Sequence, residues 1–319
     1  MSDADPDDAT TDRAAGALLG LACGDALGRP VEFETPASIQ AEHGRVTEML
    51  GHGTHGQPAG TVTDDTEMAL CIARSLVARD GFDPDDVAER FVAWLDAGPF
   101  DVGLMTRDAI DELRDGTPPG EAGQAVWERR SEGSNAGNGS LMRCAPHALA
   151  YHLDGRLVEV SRESSAITHA DPRCAWGCAA LNIVLSGLVA GDDPALAANG
   201  VVLSINEGDA VREVVAGIKR AVEGDGGPDP EDLSASGYVL DTLETGLYHG
   251  LTAPDAETAI VRAVNMGDDA DTVGAVTGAV AGARFGASAL PERWLEAIDE
   301  ADELRSLAGE LLALEPARP

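Results

Sequence analysis

Residues 268–286 read DDADTVGAVTGAVAGARFG, and this stretch decides the fold. Glycines recur at 274, 278, 282 and 286 among valines and alanines. A four-residue spacing puts them on one helix face, where the missing side chains let another backbone approach closely. The run therefore predicts a buried central helix, opened by the acidic cluster Asp268-Asp269-Ala270-Asp271-Thr272.

Working outward, helical periodicity dominates the rest of the chain. Within residues 13–27 the apolar positions Ala14, Leu18, Leu21, Ala22 and Ala26 recur at mostly three- and four-residue steps. Met68, Ile72 and Leu76 repeat the pattern, as do Val87, Phe91, Val92 and Leu95. So do Trp176, Ala180, Ile183, Val184 and Leu188, and then Val211, Val214, Val215, Ile218 and Val222. Alternating strand patterns are scarce, and aromatics make up only 4% of residues, which suits alanine-rich helices in tight contact. The expected fold is all-α, a compact single-domain multi-helix bundle.

Breaks rich in Gly, Pro or Asp are expected at 51–60, 116–123, 131–139 and 223–232. None has the length of an interdomain linker. Residues 13–314 are read as one domain, between a disordered acidic tail over 1–12 and a short C-terminal tail over 315–319.

The chain has 319 residues and is 44% apolar, ample for a large core. Its charge is lopsided, with 56 acids against 22 bases and a net of −34; Lys219 is its single lysine. The acids are spread along the whole length, beside ordinary apolar periodicity, which argues against general disorder. Adaptation to a salty cytoplasm fits better, because self-repulsion is screened within about 3 Å at 1 M salt. Such a surface repels phosphate backbones, so no nucleic-acid partner is expected.

Five scattered cysteines (Cys23, Cys71, Cys144, Cys174 and Cys178) point to reduced, buried thiols rather than a disulfide framework. The N-terminus is acidic where a signal peptide needs basic residues, and the apolar run 273–283 is too short to span a bilayer. A soluble, cytoplasmic monomer with no membrane partner is the expectation.

A second acidic cluster, Thr63-Asp64-Asp65-Thr66, mirrors the one at 268–272. Each follows a glycine-bearing turn and opens a helical stretch. Capping alone accounts for one such residue at a helix start, or two. Carboxylate and hydroxyl oxygens also suit hard divalent cations, and two such clusters brought together could hold a pair of them. Three further segments are candidates. Gly24-Asp25-Ala26-Leu27-Gly28 is followed by Glu32. Residues 137–143, GNGSLMR, can expose backbone N–H groups to a phosphate or ribose. Thr168-His169-Ala170-Asp171-Pro172 carries a histidine that by itself reads as structural.

In order and wording these five segments resemble the ADP-ribosylglycohydrolase family, from about Arg13 to Gly286. The matching text is GALLGLACGDALGRPVEF, GTVTDDTEMAL, GNGSLMRCAPHAL, ITHADPRCAWGCAAL and VNMGDDADTVGAVTGAVAGARFG. The resemblance implies an all-α hydrolase with two Mg²⁺ or Mn²⁺ ions, cleaving the glycosidic bond between ADP-ribose and an acceptor. The acceptor would be an ADP-ribosylated protein side chain or a small ADP-ribose conjugate such as an ester. By motif, the metal ligands would be Thr63, Asp64, Asp65, Asp269, Asp271 and Thr272. Glu32 would serve as general acid/base, and Asp65 would also orient the attacking water. Asn138, Gly139, Ser140 and His169 would line the ADP-ribose pocket, and Asp25 would give structural support.

Asp268 departs from the pattern, standing where the family often has a second glycine. No acid directly precedes Gly137-Asn138 either. Two other readings share these residues: a two-metal hydrolase of another ribosyl or phosphate compound, and a non-catalytic ADP-ribose binder. The intact carboxylate set argues against the second, since a structural descendant could lose it without penalty.

Overall fold

A computed structural model describes residues 6–131, 133–204, 209–222 and 232–315. In chain order its helices are α1 (Pro6–Gly28), α2 (Pro36–Glu42), α3 (Asp64–Arg79), α4 (Pro84–Asp96), α5 (Leu104–Arg114) and α6 (Pro119–Arg129). Then come α7 (Ala145–Ala150), α8 (Leu157–Ala166), α9 (Pro172–Ala190), α10 (Pro194–Ser204) and α11 (Asp209–Val222). The last are α12 (Val239–Thr252), α13 (Ala256–Val264), α14 (Ala270–Phe285), α15 (Glu292–Leu295) and α16 (Ala301–Leu312). No strand occurs among the described residues, so the all-α expectation holds.

The glycine-bearing helix α14 is buried along nearly its whole length. Its partner is α1, which carries a matching stripe at Gly16, Gly20, Gly24 and Gly28. The two run antiparallel with glycine against glycine. A Cβ built on Gly20 would lie 2.1 Å from the carbonyl oxygen of Gly278, and one on Gly282 would lie 1.8 Å from that of Gly16. Any side chain here would force the backbones apart, so the seam fixes how α1 and α14 register.

The other predicted periodic faces are buried too. Met68, Ile72 and Leu76 on α3, Val87 and Phe91 on α4, and Val214 and Ile218 on α11 have almost no exposure. All five cysteines are free and buried.

Two expectations need correction. The acidic tail was expected to be disordered through residue 12, but α1 begins at Pro6. Asp12 is tied down: its carboxylate accepts from the Ser288 backbone N–H at 3.0 Å and hydroxyl at 2.8 Å. Residues 1–5 and 316–319 lie outside the described residues. The break expected at 116–123 is shorter, because Pro119 starts α6 and Gly120 and Gly123 fall within it. Most of the break at 223–232 lies outside the described residues. The 273–283 run lies within α14, and α9 is the described helix with the length and mean hydropathy (1.4) of a membrane span. Packed inside the bundle, with 78% of that window buried, it owes its apolarity to a core position.

Candidate active site

The seam brings the C-terminal end of α1 beside the N-terminus of α14. A 3-10 turn, Arg29–Val31, follows α1 and delivers Glu32. Asp25, on the last turns of α1, is fully buried and caps α3 from outside. Its carboxylate accepts from the Thr63 N–H at 3.0 Å, the Thr66 N–H at 3.1 Å and the Thr66 hydroxyl at 2.5 Å. Thr63 is the N-cap of α3, with its hydroxyl accepting from Asp65 N–H at 3.4 Å. Asp269 occupies the cap position of α14, and Asp271 lies in its first turn.

The two acidic clusters therefore meet. The Thr272 hydroxyl lies 3.3 Å from Asp65 Oδ2, and the Thr63 hydroxyl lies 3.2 Å from the same oxygen. Asp65 Oδ1 is buried with no hydrogen-bond partner. Glu32, Asp269 and Asp271 each offer a carboxylate oxygen within 4.8 Å of the others. Asp64 Oδ2 accepts from the Gly103 N–H at 3.2 Å.

Such crowding of acids is unfavourable unless something positive joins them. Burial, reinforced by Asp101, Asp269 and Asp64, pushes Glu32 up to about 9. Burial and the neighbouring Asp101 push Asp64 up to about 8. Asp65 and Asp271 rise well above the usual carboxylate range, first from burial and then from their neighbours' charges. No arginine or lysine makes an ion pair with Asp64, Asp65, Asp269 or Asp271 among the described residues. The guanidinium of buried Arg29, whose charge reaches Asp25 and Asp271, spends its donors on the carbonyls of Leu50, His52, Pro58 and Thr61. Oxygen donors of this kind, one of them orphaned, fit a hard divalent cation.

Above the acids opens a cleft of about 550 Å³. Glu32, Asp64, Asp269, Asp271, Thr272, Asn138, Gly139 and His169 line it, while Thr63 and Asp65 sit beneath its floor. Asn138 Nδ2 donates to Asp269 Oδ2 at 2.6 Å and to Thr242 Oγ1 at 2.9 Å, so it ties the 137–143 segment to the acids. Ser140 is the exception among the expected residues. Its hydroxyl faces the core, 2.9 Å from Ser165 Oγ, and it does not line the cleft.

Sequence reasoning missed His55 and Asp101. His55 Nε2 lies 2.5 Å from Glu32 Oε2 and 3.7 Å from Asp101 Oδ2, between the rings of Phe33 and Phe100. Both residues sit outside helices, where no periodicity marks them; the histidine pair in GHGTHGQ was the available signal. At the same mouth, Phe33 and Asp268 both have left-handed backbones, with φ of 63° and 55°. They are locked together by Phe33 N–H to Asp268 O at 2.6 Å and Asp268 N–H to Glu34 O at 2.8 Å.

The family model described as ADP-ribosylglycohydrolase matches residues 6–319. The chain belongs to this family. It is similar to ADP-ribosyl-[dinitrogen reductase] glycohydrolase of Rhodospirillum rubrum, at 35% identity over 95% of this chain and 96% of that protein. It is also similar to ADP-ribosylarginine hydrolase Tri1 of Serratia proteamaculans, at 32% identity over 98% of this chain and 82% of the relative. A solved structure titled ADP-ribosylglycohydrolase-related protein complex superposes with a TM-score of 0.79 at 35% identity, covering 96% of this chain and 99% of the other. The ADP-ribosylglycohydrolase chain is thus a hydrolase by family, with acid clusters able to hold metal.

Proposed function

We propose that this cleft hydrolyses the glycosidic bond between ADP-ribose and an acceptor, with arginine as the acceptor that suits it best. The meeting of Asp65 with Thr272, beside an unpartnered Asp65 oxygen and three more carboxylates, carries this reading. Thr63, Asp64, Asp65, Asp269, Asp271 and Thr272 would hold two Mg²⁺ or Mn²⁺ ions, which supply Lewis acidity to ribose hydroxyls and water.

The protein's own groups do the rest. Asn138 and His169 stand where they can hold the ADP-ribose side of the substrate. Glu32 and His55, 2.5 Å apart at the mouth, form the pair through which Glu32 can hand a proton to the leaving nitrogen. The free oxygen of Asp65 can orient the attacking water. Asp101 and Asp268 bring carboxylates to the mouth, which favours a guanidinium, and two relatives named above act on arginine-type or protein-borne conjugates by name.

The test is release of ADP-ribose from ADP-ribosyl-arginine, ADP-ribosyl-serine peptide and O-acetyl-ADP-ribose, in high salt, with Mg²⁺ or Mn²⁺ and with chelator. Metal-dependent release, fastest from the arginine conjugate, is expected. Tight ADP-ribose binding with no turnover of any conjugate would instead make the protein a binder.

A further inference from the structure

Arg143 is fully buried on the turn before α7, and it makes no ion pair among the described residues. Its guanidinium stacks over Phe91 with 4.5 Å to the ring centroid, and one nitrogen reaches Met68 Sδ at 3.5 Å. The other terminal nitrogen donates to Thr168 Oγ1 at 2.6 Å. Thr168 Oγ1 in turn lies 2.8 Å from His169 Nδ1. These contacts leave one assignment of protons. A guanidinium can only donate, so one lone pair of the threonine oxygen accepts from it, and the buried threonine hydrogen has no acceptor among the described contacts other than His169 Nδ1. Nδ1 must accept that hydrogen. The ring proton therefore resides on Nε2.

From these contacts we infer that Arg143 and Thr168 are positioning residues that lock His169 in the Nε2–H tautomer, with that N–H presented to the ligand. The main chain of His169 is pinned on both sides, its N–H donating to Ser165 O at 2.8 Å and its carbonyl accepting from Ser165 Oγ at 3.1 Å. The Nε2 edge faces the cleft directly over Gly139. A Cβ there would lie 3.1 Å from Nε2 and 2.9 Å from Cε1, so residue 139 has to be glycine for the ring to stand where it does. Burial, with Arg143 and Arg130 nearby, holds the imidazole down to about 3, so it stays neutral at any working pH.

The consequence is chemical. With Nδ1 engaged and Nε2 protonated, His169 shows the cleft a donor and no lone pair. It can hold a ribose hydroxyl oxygen or a phosphate oxygen, and it cannot act as a general base. Proton traffic is left to the Glu32 side of the cleft. This role for the ligand rests on the proposed reading of the cleft, whereas the tautomer does not.

The experiment is long-range ¹⁵N–¹H NMR of the histidine-labelled, metal-loaded protein, with and without ADP-ribose, alongside calorimetric binding of ADP-ribose. The wild type should show the Nε2–H pattern for His169 in both states. Thr168→Val should give a mixture of tautomers and weaken ADP-ribose binding about tenfold, as expected for a charge-adjacent hydrogen bond misplaced. Thr168→Ser should restore both. An Nδ1–H pattern in the wild type overturns the inference without any variant. So does a Thr168→Val protein with unchanged tautomer and affinity. An Nε2–H wild type that fails to bind ADP-ribose keeps the relay and removes the reading of the cleft.

Discussion

The hydroxyl of Thr272 lies 3.3 Å from Asp65 Oδ2, although 207 residues separate the two in the chain. Neither cluster could collect its neighbours' carboxylates without this meeting, and Asp65 Oδ1 is left buried and alone.

Asp65→Asn should therefore act in opposite directions with and without metal. In chelator the variant is relieved of a buried carboxyl whose ionisation its acidic neighbours oppose, and it should melt at or above the wild-type temperature. With saturating Mg²⁺ or Mn²⁺ the wild type should gain several degrees by linkage, and the variant little or nothing. Thermal melts in the two conditions check this. Equal metal-induced shifts would take Asp65 out of the cation site.

The glycine seam predicts two alanine variants of opposite sign. Gly278→Ala places a Cβ 1.9 Å from the Gly20 carbonyl oxygen, where only movement of a whole helix gives relief. It should cost about 3 kcal/mol or more and lower activity as Asp271 shifts away from Asp65. Gly309→Ala, on α16, meets nothing within 4 Å and should stabilise by up to about 1 kcal/mol. Urea unfolding of both proteins decides it; similar effects from the two would mean the seam tolerates separation.

Asp268 holds a left-handed backbone where the family often has glycine, and this costs a non-glycine residue energy. Asp268→Gly should raise stability by roughly 0.5–1 kcal/mol, measured by urea midpoints. A loss of stability would show that the aspartate side chain itself anchors the loop.

His147 and His249 lie away from the acids, and burial lowers each to about 4. An unfolded histidine titrates near 6.5. A lowered folded value means that the neutral ring stabilises the fold fully above about pH 6.5. This stability is lost as pH falls from there through 4, by roughly 3 kcal/mol per ring at the end of the range. His147→Leu and His249→Leu should each flatten the slope of unfolding free energy against pH between about 6.5 and 4 by nearly one proton. An unaltered slope would place the acid lability elsewhere.

The net charge of −34 carries the last prediction. Raising KCl from about 0.1 M to about 3 M should raise the melting temperature, because added salt screens self-repulsion. A melting temperature independent of salt would remove the salt-adaptation reading.

Much of this was legible in the sequence, for identifiable reasons. The glycine period announces a close backbone approach, and Gly274, Gly278 and Gly282 make it; Gly286, expected on the same face, instead ends α14 with φ of 88° and meets Asp12. The partner stripe at Gly16 to Gly28 is as regular, yet a sequence does not say which stripes meet. The paired acid clusters were visible, while the capping of α3 by Asp25, 38 residues before Thr63, was not. The acidic N-terminus reads as disordered because its charge hides the long-range anchor at Ser288. Ser140 lies in the right segment with its side chain turned inward, a matter of backbone path that spacing leaves open. His55 and Asp101 escape for the same reason, because irregular segments have no period to betray which way they point.

Arg29 gives all its hydrogen bonds to main-chain carbonyls between Leu50 and Thr61. A single side chain thus dictates the course of a loop that has neither helix nor sheet to hold it, and it does so without consulting that loop's own side chains. Positions such as His52 and Gln57 are consequently free to drift without the path collapsing, whereas Thr54 and His55 are held to Glu32. Acceptor preference can evolve on this rigid rail while the chemistry below stays untouched.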